Sequence, residues 1–392
     1  MASSYTHADH LVIGGGPAGA MAAISLAVAG RRVVLAEKTR EAHHKVCGEF
    51  LSLEALHYLR QVGVDPLALG AATISEVRVS SGRKVAESPL PFQAFSLSRR
   101  ILDEALLACA NAAGCTVLRG VGVESLVPGR NGWIAALDNG EQLQPCAVFL
   151  ATGKHDLRGF QRPPGKQNDL IGFKLHWKLS SSAIVVLRNS IDLFLFPGGY
   201  GGLSLIENDT ANLCLVVRRS MLRSSGGWAA LLSAILKHNR HLGLMLHDGE
   251  PLWANPLAIS SIPYGYLRSV DAGLWCVGDQ AAVIPSFTGD GISIALHSAA
   301  LAAEMFLGGE PVAAYHRKLR AQLGRAMMLA TWLSRVAVTA PGRACACPAA
   351  LFPGIMRWVA ESTRIPWSAM TSIRPAGAAP LPRVLGGRVE VA

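Results

Sequence analysis

The sequence predicts an α/β fold: a parallel sheet built around one βαβ unit, an inserted antiparallel β-sheet, and helices at the C-terminal end. Three observations lead to this prediction. A strand, a glycine-rich turn, a helix and a second strand follow one another within residues 10–36. Short strand-like segments recur between residues 170 and 220. Apolar residues recur at helical spacing between residues 292 and 337. This mixture of elements is typical of a layered α/β chain.

The N-terminal elements can be placed from periodicity and from the residues that end each run. Residues 10–14 predict a buried strand and residues 17–29 a helix, with Pro17 in its first turn and Gly30 after its end. Residues 32–36 predict a second strand, parallel to the first through a right-handed crossover. After it we expect a loop over 38–49, helices over 53–62 and 99–113, and a strand meander over 116–150.

The middle of the chain is rich in β-branched and aromatic residues, which favour strands. We predict five strands of a separate antiparallel sheet, from the segments IGFKLHWKL, AIVVL, DLFLF, LSLIE and NLCLVV. The glycines at 198–202 predict a turn, since no helix follows them. Helices are expected over 227–247, 292–307 and 312–337.

Composition and charge exclude several classes of protein. Half of the 392 residues are apolar and 16% are charged, which excludes an intrinsically disordered chain. The net charge of +10 is scattered without a nucleic-acid-binding motif, so nucleic acid is not an expected partner. The eight cysteines form no CxxC pair, and no metal-binding set accompanies them. Together with an N-terminus that lacks a basic signal region, they predict reduced thiols in the cytoplasm.

A dinucleotide-binding motif occupies the first βαβ unit. Gly14, Gly16 and Gly19 follow the spacing GxGxxG, in which the glycines allow a tight turn, close approach of a pyrophosphate and helix–strand packing. The start of the helix offers free N–H groups and a partial positive charge to the phosphates. Glu37 ends the second strand, where a carboxylate accepts hydrogen bonds from ribose hydroxyls. The chain therefore predicts a Rossmann-type domain.

A second glycine-rich region follows a strand late in the chain. Gly278 and Asp279 end that strand, Pro285 follows, and Gly289 and Gly291 precede a helix. Backbone N–H groups at such a helix start suit an anion or an electron-rich ring edge. With the first motif, this region changes the predicted cofactor from NAD to FAD. Over residues 10–310 the chain resembles the flavoprotein superfamily that contains geranylgeranyl reductases and single-component aromatic hydroxylases.

The resemblance implies roles for particular residues. Asp279 would bind the ribityl or pyrophosphate part of FAD, and Gly289 and Gly291 would face the flavin pyrimidine. Arg99, four residues before Asp103, would contact FAD, with Arg100 as its rival. Thr152 and Gly153 match the family's strand end near the adenosine. The predicted cofactor-binding set is completed by Ala18, Lys38, Val123 and Ile292.

The segment Lys45-Val-Cys47-Gly48-Glu49 resembles the Cys-Gly segment of geranylgeranyl reductases, on a loop close to the flavin. We predict that the Cys47 thiol delivers a proton to the substrate, with Glu49 as the competing donor. The alternative is that Cys47 is a small apolar filler.

A strand in the middle of the chain resembles the Phe-Pro strand of the same reductases. The resemblance implies that Phe194, Phe196 and Pro197 border the substrate. Asp192 replaces the first aromatic residue of the family pattern, which weakens the inference about isoprenoids. Ordinary strand core is an equally good interpretation of Phe194.

These motifs define the expected activity and domain organisation. We expect an FAD-dependent oxidoreductase acting on a hydrophobic small molecule, by oxidation or monooxygenation of a phenolic or polyketide-like ring or by reduction of a prenyl-like alkene. The alternative is an electron-transfer or non-catalytic flavoprotein. The chain has one dinucleotide motif, so electrons would come from external NAD(P)H or a reductase partner.

The predicted domains follow from the order of elements. Residues 8–165 and 255–310 would form a discontinuous FAD-binding domain, with parts of 75–100 contributing to the substrate side. Residues 166–254 would form the antiparallel-sheet substrate domain, and 311–373 the C-terminal helices. Residues 374–392 would be a flexible tail. The apolar segments within 327–359 would pack on the main domain or touch lipid peripherally.

Overall fold

The computed structural model describes residues 9–269 and 272–373, and the backbone of two short strands beyond them. In chain order the strands are β1 (His10–Ile13), β2 (Val33–Glu37), β3 (Phe50–Leu51), β4 (Ala72–Ser81), β5 (Lys84–Ser96), β6 (Thr116–Arg119), β7 (Val123–Gly129), β8 (Gly132–Leu137), β9 (Gln142–Leu143), β10 (Ala147–Leu150), β11 (Leu170–Lys178), β12 (Asn189–Phe196), β13 (Gly199–Leu205), β14 (Ala211–Arg218), β15 (Glu250–Pro251), β16 (Leu257–Ser260), β17 (Tyr266–Leu267), β18 (Trp275–Cys276), β19 (Ala282–Val283), β20 (Arg383–Leu385) and β21 (Arg388–Glu390).

The helices alternate with these strands. In the same order they are α1 (Pro17–Val28), α2 (Leu53–Gln61), α3 (Arg99–Ala112), α4 (Ser181–Leu187), α5 (Arg219–Ser225), α6 (Trp228–His238), α7 (Arg240–Leu246), α8 (Gly291–Leu307), α9 (Val312–Ala337), α10 (Ala340–Ala350) and α11 (Pro353–Ser362). The predicted tail, residues 374–392, lies outside the described residues apart from the backbone of β20 and β21.

The first sheet has five strands in the order β18-β10-β1-β2-β6, and all neighbours run parallel. Strands β1, β2 and β10 are buried along their whole length, as expected for a parallel sheet covered on both faces. Helices α1 and α8 pack on one face. The small sheet β7-β8-β9 covers the other. The predicted Rossmann-type α/β fold is therefore confirmed.

Close packing at the first turn explains its glycines. Gly14 has a φ of +106°, a backbone conformation that favours glycine. A β-carbon at Gly19 would overlap the carbonyl oxygen of Gly14. These two glycines therefore let α1 begin directly against the end of β1, which brings its first turn to the edge of the sheet.

The second sheet has nine strands, in the order β15-β11-β14-β13-β12-β4-β5-β3, with β16 also beside β11. It takes strands from residues 50–96 and 250–260 as well as from the predicted 170–220 region. Its central junction, between β12 and β4, is parallel, so the sheet is not wholly antiparallel. Division of the chain at residues 166 and 254 stays a prediction.

Three secondary-structure predictions were wrong. AIVVL belongs to α4, because Ser180 caps the helix start and Ala183 and Leu187 bury one helical face. The glycines at 199–202 lie inside β13, where Gly199 and Gly201 leave room for phenylalanine rings across the strand pair. The helix expected over 227–247 is broken at Asn239, whose side chain caps α7.

The C-terminal helices α9, α10 and α11 contact one another, and α10 and α11 also contact the second sheet at β5. Within the described residues, none of the helices is both long and apolar enough to cross a bilayer.

Candidate active site

A cavity of about 290 Å³ lies between the first turn of α1, the start of α8 and one face of the second sheet. Eleven residues that the sequence predicted as functional line it. They are Gly16, Ala18, Cys47, Glu49, Arg99, Gly153, Gly278, Asp279, Gly289, Gly291 and Ile292. Residues from positions 16 to 292 therefore meet in one place, although their roles stay predictions.

The other predicted cofactor residues do not line the cavity. Gly14 and Gly19 support the turn, and the buried Glu37 carboxylate accepts the Gly15 N–H at 2.7 Å and the Thr39 N–H at 3.0 Å. Lys38 is exposed, and Val123 is half-buried at the start of β7. Thr152 donates its hydroxyl to the carbonyl of His155 at 2.6 Å, and Pro285 is buried before a 3₁₀ turn. These residues shape the site without lining the cavity.

The cavity wall near α1 offers the contacts that a pyrophosphate needs. Gly16 is the N-cap of α1, so the free N–H groups of the first turn lie at this wall. Arg99 also lines it, held by Asp103 through contacts of 2.7 and 2.9 Å. Lys45 adds a third contact to Asp103, at 3.0 Å. The electropositive lining fits the phosphates of FAD.

Open space borders the glycines on the opposite side of the cavity. A β-carbon added at Gly48, Gly153 or Gly291 would meet no other atom within 4 Å. Asp279 lies nearby and pairs with Lys154 at 3.3 Å. The Arg162 guanidinium donates to the Asp279 carbonyl at 2.7 Å, which fixes the backbone here. These residues fit a cofactor with both a chain of hydroxyls and a flat ring.

The loop that carries Cys47 is tied to the second sheet. The Asn212 amide donates to the carbonyls of Cys47 and Gly48, at 3.2 and 3.0 Å. The Glu49 N–H in turn donates to the Cys47 sulfur at 3.3 Å. Cys47 is half-buried and lines the cavity, so its thiol can reach a bound molecule.

Glu49 is an ion-paired carboxylate and not the free acid that a proton donor requires. It is fully buried, pairs with Lys174 and lies 3.2 Å from His176 Nε2. It also accepts the Arg99 N–H at 2.7 Å. Burial raises the pKa of Glu49, but the hydrogen bond from His176 and the charge of Lys174 outweigh it and lower that pKa. The ion pair disfavours Glu49 as a proton donor, and its competing role stays a prediction.

One group of side chains among the described residues has the composition of a metal site. Single ligand atoms of His44, Glu49 and His176 lie within 4.8 Å of one another. Burial, and then the charges of His176 and Lys174, lower the pKa of His44 to about 4. Because the Lys174 ammonium already neutralises Glu49, a metal cation would meet a competing charge there. The group is better described as an internal ion pair with two flanking imidazoles.

The residues predicted to border the substrate, Phe194, Phe196 and Pro197, do not line this cavity. Phe194 and Phe196 point to the far face of the second sheet, into a core formed with α6 and α7. Pro197 lies in the turn after β12, outside the cavity lining. Side chains alternate along a strand, so Ile191 and Leu193 face the cavity instead. The predicted strand therefore does line the cavity, but through the side chains of its other face.

Part of the cavity lining is apolar and includes residues of α11, to which the sequence analysis assigned no role in a ligand site. Val77, Leu90 and Ile262 form part of it together with Ile191 and Leu193. Helix α11 closes this side with Met356, Val359, Ala360, Thr363 and the following Arg364. Residues as far apart in the chain as Val77 and Arg364 meet here only after folding, so sequence periodicity could not predict that they line one cavity.

Asp290 is a buried carboxyl group beside the cavity. It lies between Gly289 and Gly291, and its nearest charged partner is Arg364, at 3.5 Å. Arg364 also pairs with Glu54 at 2.8 Å. Burial raises the pKa of Asp290 from 3.8 to about 7, against the opposing charge of Arg364. The folded protein therefore keeps a proton on Asp290 that the unfolded chain loses at lower pH.

The proton on Asp290 determines in which direction the free energy of unfolding should change with pH. Between about pH 4 and pH 7 the unfolded chain binds fewer protons at this site than the folded one, so stability falls as pH rises. We expect Asp290→Asn to flatten that fall and to raise the free energy of unfolding at pH 8 by about 2–4 kcal/mol. Urea unfolding of the parent and the variant at pH 4.5, 6 and 8 measures the two free energies of unfolding. If the difference between them is the same at all three pH values, the raised pKa of Asp290 is contradicted.

Comparisons with known proteins identify an FAD-binding domain and two reductases of similar sequence. Residues 7–142 match the family model described as "FAD binding domain". A menaquinone reductase from Mycolicibacterium smegmatis is 26% identical over 327 residues, covering 78% of this chain and 77% of the relative. A digeranylgeranylglycerophospholipid reductase from Methanopyrus kandleri is 26% identical over 318 residues, covering 76% of each chain.

Solved structures share the fold at lower identity. The flavin-dependent brominase Bmp2 superposes with a TM-score of 0.74 at 18% identity, covering 94% of this chain and 96% of that one. A geranylgeranyl bacteriochlorophyll reductase-like protein from Thermoplasma acidophilum gives a TM-score of 0.70 at 20% identity, covering 92% and 94%. These likenesses show the fold, and the FAD-binding match together with the two reductase relatives confirms the predicted class of enzyme. The chain is an FAD-dependent oxidoreductase, similar in sequence to a menaquinone reductase and to a digeranylgeranylglycerophospholipid reductase.

Proposed function

We propose that the protein reduces a carbon–carbon double bond in a prenyl-like chain, with Cys47 as the proton donor. The observation that carries this proposal is the two-ended cavity, apolar at Ile191, Leu193 and α11 and polar at the Cys47 loop. The apolar end suits an aliphatic chain, whereas a phenolic ring would need more polar partners. The two relatives named as reductases of a menaquinone and of a digeranylgeranyl lipid support the same choice.

The site residues have separate tasks in this proposal. Bound FAD, once reduced by the external electron donor, would supply the hydride to one carbon of the double bond. Cys47 would release its proton to the other carbon and take a proton back from water. The Glu49 N–H donates to the Cys47 sulfur at 3.3 Å, and the Arg99 guanidinium lies close to the same sulfur. The aliphatic wall orients the chain and excludes water from the reacting carbons.

The electron donor and the location of the protein belong to the same proposal. Electrons would arrive from NAD(P)H or from a reductase partner, since the sequence carries a single dinucleotide motif. A reducing compartment such as the cytoplasm fits the eight cysteines, all of which are free thiols.

Anaerobic turnover tests the proposal. The FAD-loaded protein would be reduced with dithionite and mixed with geranylgeraniol in deuterated water. We expect flavin reoxidation without oxygen and a product with two more hydrogens, both of them deuterium, because dithionite supplies only electrons and the reduced flavin takes its hydrogen from the solvent. A hydroxylase would instead form no product without oxygen, and it would incorporate labelled oxygen into the product once labelled oxygen gas is admitted. That outcome would contradict the proposed reduction.

Substitution of Cys47 tests its role within this reaction. We expect Cys47→Ser to retain FAD and to slow turnover by about 10²-fold or more, since proton donation in the transition state is lost. Cys214 is the matched control: it lines the same cavity, but burial raises the pKa of its thiol to about 12. Cys214→Ser should change turnover by less than about threefold. Equal effects of the two substitutions would reduce Cys47 to a packing residue.

A further inference from the structure

The C-terminal helices expose an unusual number of large apolar side chains. Within residues 325–362 we define the α9–α11 surface as six side chains that are 43–64% exposed. They are Met328, Trp332, Leu351, Phe352, Ile355 and Trp358. Single exposed apolar residues are normal, but a group of six in α9, α11 and the connection between α10 and α11 marks an interaction surface.

Helix α11 shows most clearly that this exposure is not explained by packing. Its inner face lines the cavity through Met356 and Val359. Its outer face carries Ile355 and Trp358, three residues apart and both exposed. A helix that is apolar on both faces is normally buried on both. The inner face of α11 therefore faces the protein, and the partner of its outer face lies outside the described part of the chain.

The charges of this segment indicate what that partner is. Residues 325–362 contain four arginines and a single acidic residue, Glu361, and no lysine or aspartate. Arg325, Met328, Trp332 and Arg335 follow one another at helical spacing along α9, and all four are exposed. Arginine beside tryptophan and aliphatic side chains is the composition of helices that lie in the interface of anionic bilayers.

We propose that the α9–α11 surface docks the protein on an anionic lipid bilayer, with α11 as the wall between the bilayer and the cavity. The apolar side chains would enter the region between headgroups and acyl chains, while the arginines contact lipid phosphates. The outer face of α11 meets lipid while its inner face meets the ligand. A membrane-held substrate would then reach the cavity beside α11. This last step rests on the proposed function, whereas the docking itself does not.

Vesicle binding by the FAD-loaded protein tests the docking without any turnover. We expect the protein to sediment with vesicles of phosphatidylcholine and phosphatidylglycerol, and less with phosphatidylcholine alone or at high salt. The variant Phe352→Ser/Ile355→Ser/Trp358→Ser should bind at least about tenfold more weakly. All three side chains are exposed, so the fold should tolerate their loss.

A matched variant controls for the loss of exposed apolar surface as such. Leu67, Val185 and Leu244 are 53–70% exposed but lie outside the C-terminal helices. Their triple serine variant should bind vesicles like the parent protein. Brominated lipids give a second readout: they should quench tryptophan fluorescence, and Trp358→Phe should reduce the quenching.

Two outcomes would overturn the proposal. Equal vesicle binding by the parent and the α11 variant would show that lipid contact does not involve this surface. Absence of vesicle binding, with a change from dimer to monomer in the α11 variant by analytical ultracentrifugation, would make the surface a contact between protein chains. Neither outcome depends on the substrate, so neither decides the proposed reduction.

Discussion

Replacing Gly16 with valine is expected to yield a folded protein that purifies without flavin. Gly16 has a φ of −75°, which any residue adopts, so the substitution imposes no backbone strain. A β-carbon there would contact only the end of the flexible Arg99 side chain, at 3.2 Å. The new side chain would instead occupy the cavity at the first turn of α1, where the pyrophosphate of FAD is expected.

The expected effect on cofactor affinity is large. The valine would block hydrogen bonds from the first turn of α1 to the phosphates, each worth about 1.5–3 kcal/mol because the acceptor is charged. Loss of two such bonds would weaken FAD binding by about 100-fold or more. Flavin absorbance after purification, followed by titration of the apoprotein with FAD, measures this loss.

A glycine elsewhere provides the control for this substitution. Gly324 lies in α9, and a β-carbon there would meet no other atom within 4 Å. Gly324→Val should therefore retain FAD, while circular dichroism should show both variants to be folded. A Gly16→Val protein that binds FAD like its parent would move the phosphate site away from the start of α1.

The fold could be predicted where the decisive interactions are local in sequence. The turn at Gly14, Gly16 and Gly19 joins β1 and α1, which are consecutive, so spacing alone predicted its geometry. The segment AIVVL shows where propensity failed. Its β-branched residues favour a strand, but Ala183 and Leu187 lie four residues apart on a buried helical face. The sequence contains this helical spacing, but in our prediction the strand preference of the β-branched residues outweighed it.

The candidate site was predictable only in part, because its remaining contacts are distant in sequence. Lys174 and His176 lie more than 120 residues from Glu49, and their pairing requires the second sheet to form. The cavity wall formed by α11 depends on how the C-terminal helices pack. The face of β12 that meets the cavity was undecided, since shifting a strand by one residue exchanges its faces. Local motifs therefore identified many of the residues that line the cavity near α1 and α8, but not the residues of β12 and α11 that line it.

Removal of the Lys174 charge is expected to cause the largest loss of stability. Lys174 and Glu49 are both fully buried, and their side chains pair directly. In Lys174→Met the Glu49 carboxylate would remain buried without its cation. Breaking a buried ion pair from one side costs about 3–5 kcal/mol, because the remaining charge is left uncompensated. Urea unfolding at pH 7.5 should show a loss of this size relative to the parent protein, whereas Lys318→Met, at an exposed position in α9, should show almost none.

The pH dependence separates this electrostatic cost from simple loss of packing. In the parent protein the lowered pKa of Glu49 stabilises the fold above the ordinary carboxyl value of 4.5, and this stabilisation is lost as pH falls through the folded pKa. Without Lys174, Glu49 should instead favour its protonated form, so the gap in stability between the two proteins should narrow as pH falls. The double variant Lys174→Met/Glu49→Gln should regain much of the loss at pH 7.5, since no buried charge remains. If the difference in free energy of unfolding between the parent and Lys174→Met is constant with pH and unchanged by Glu49→Gln, Lys174 stabilises the fold by packing and not by its charge. The same Glu49 carboxylate also accepts the Arg99 backbone N–H at 2.7 Å and so holds the start of α3.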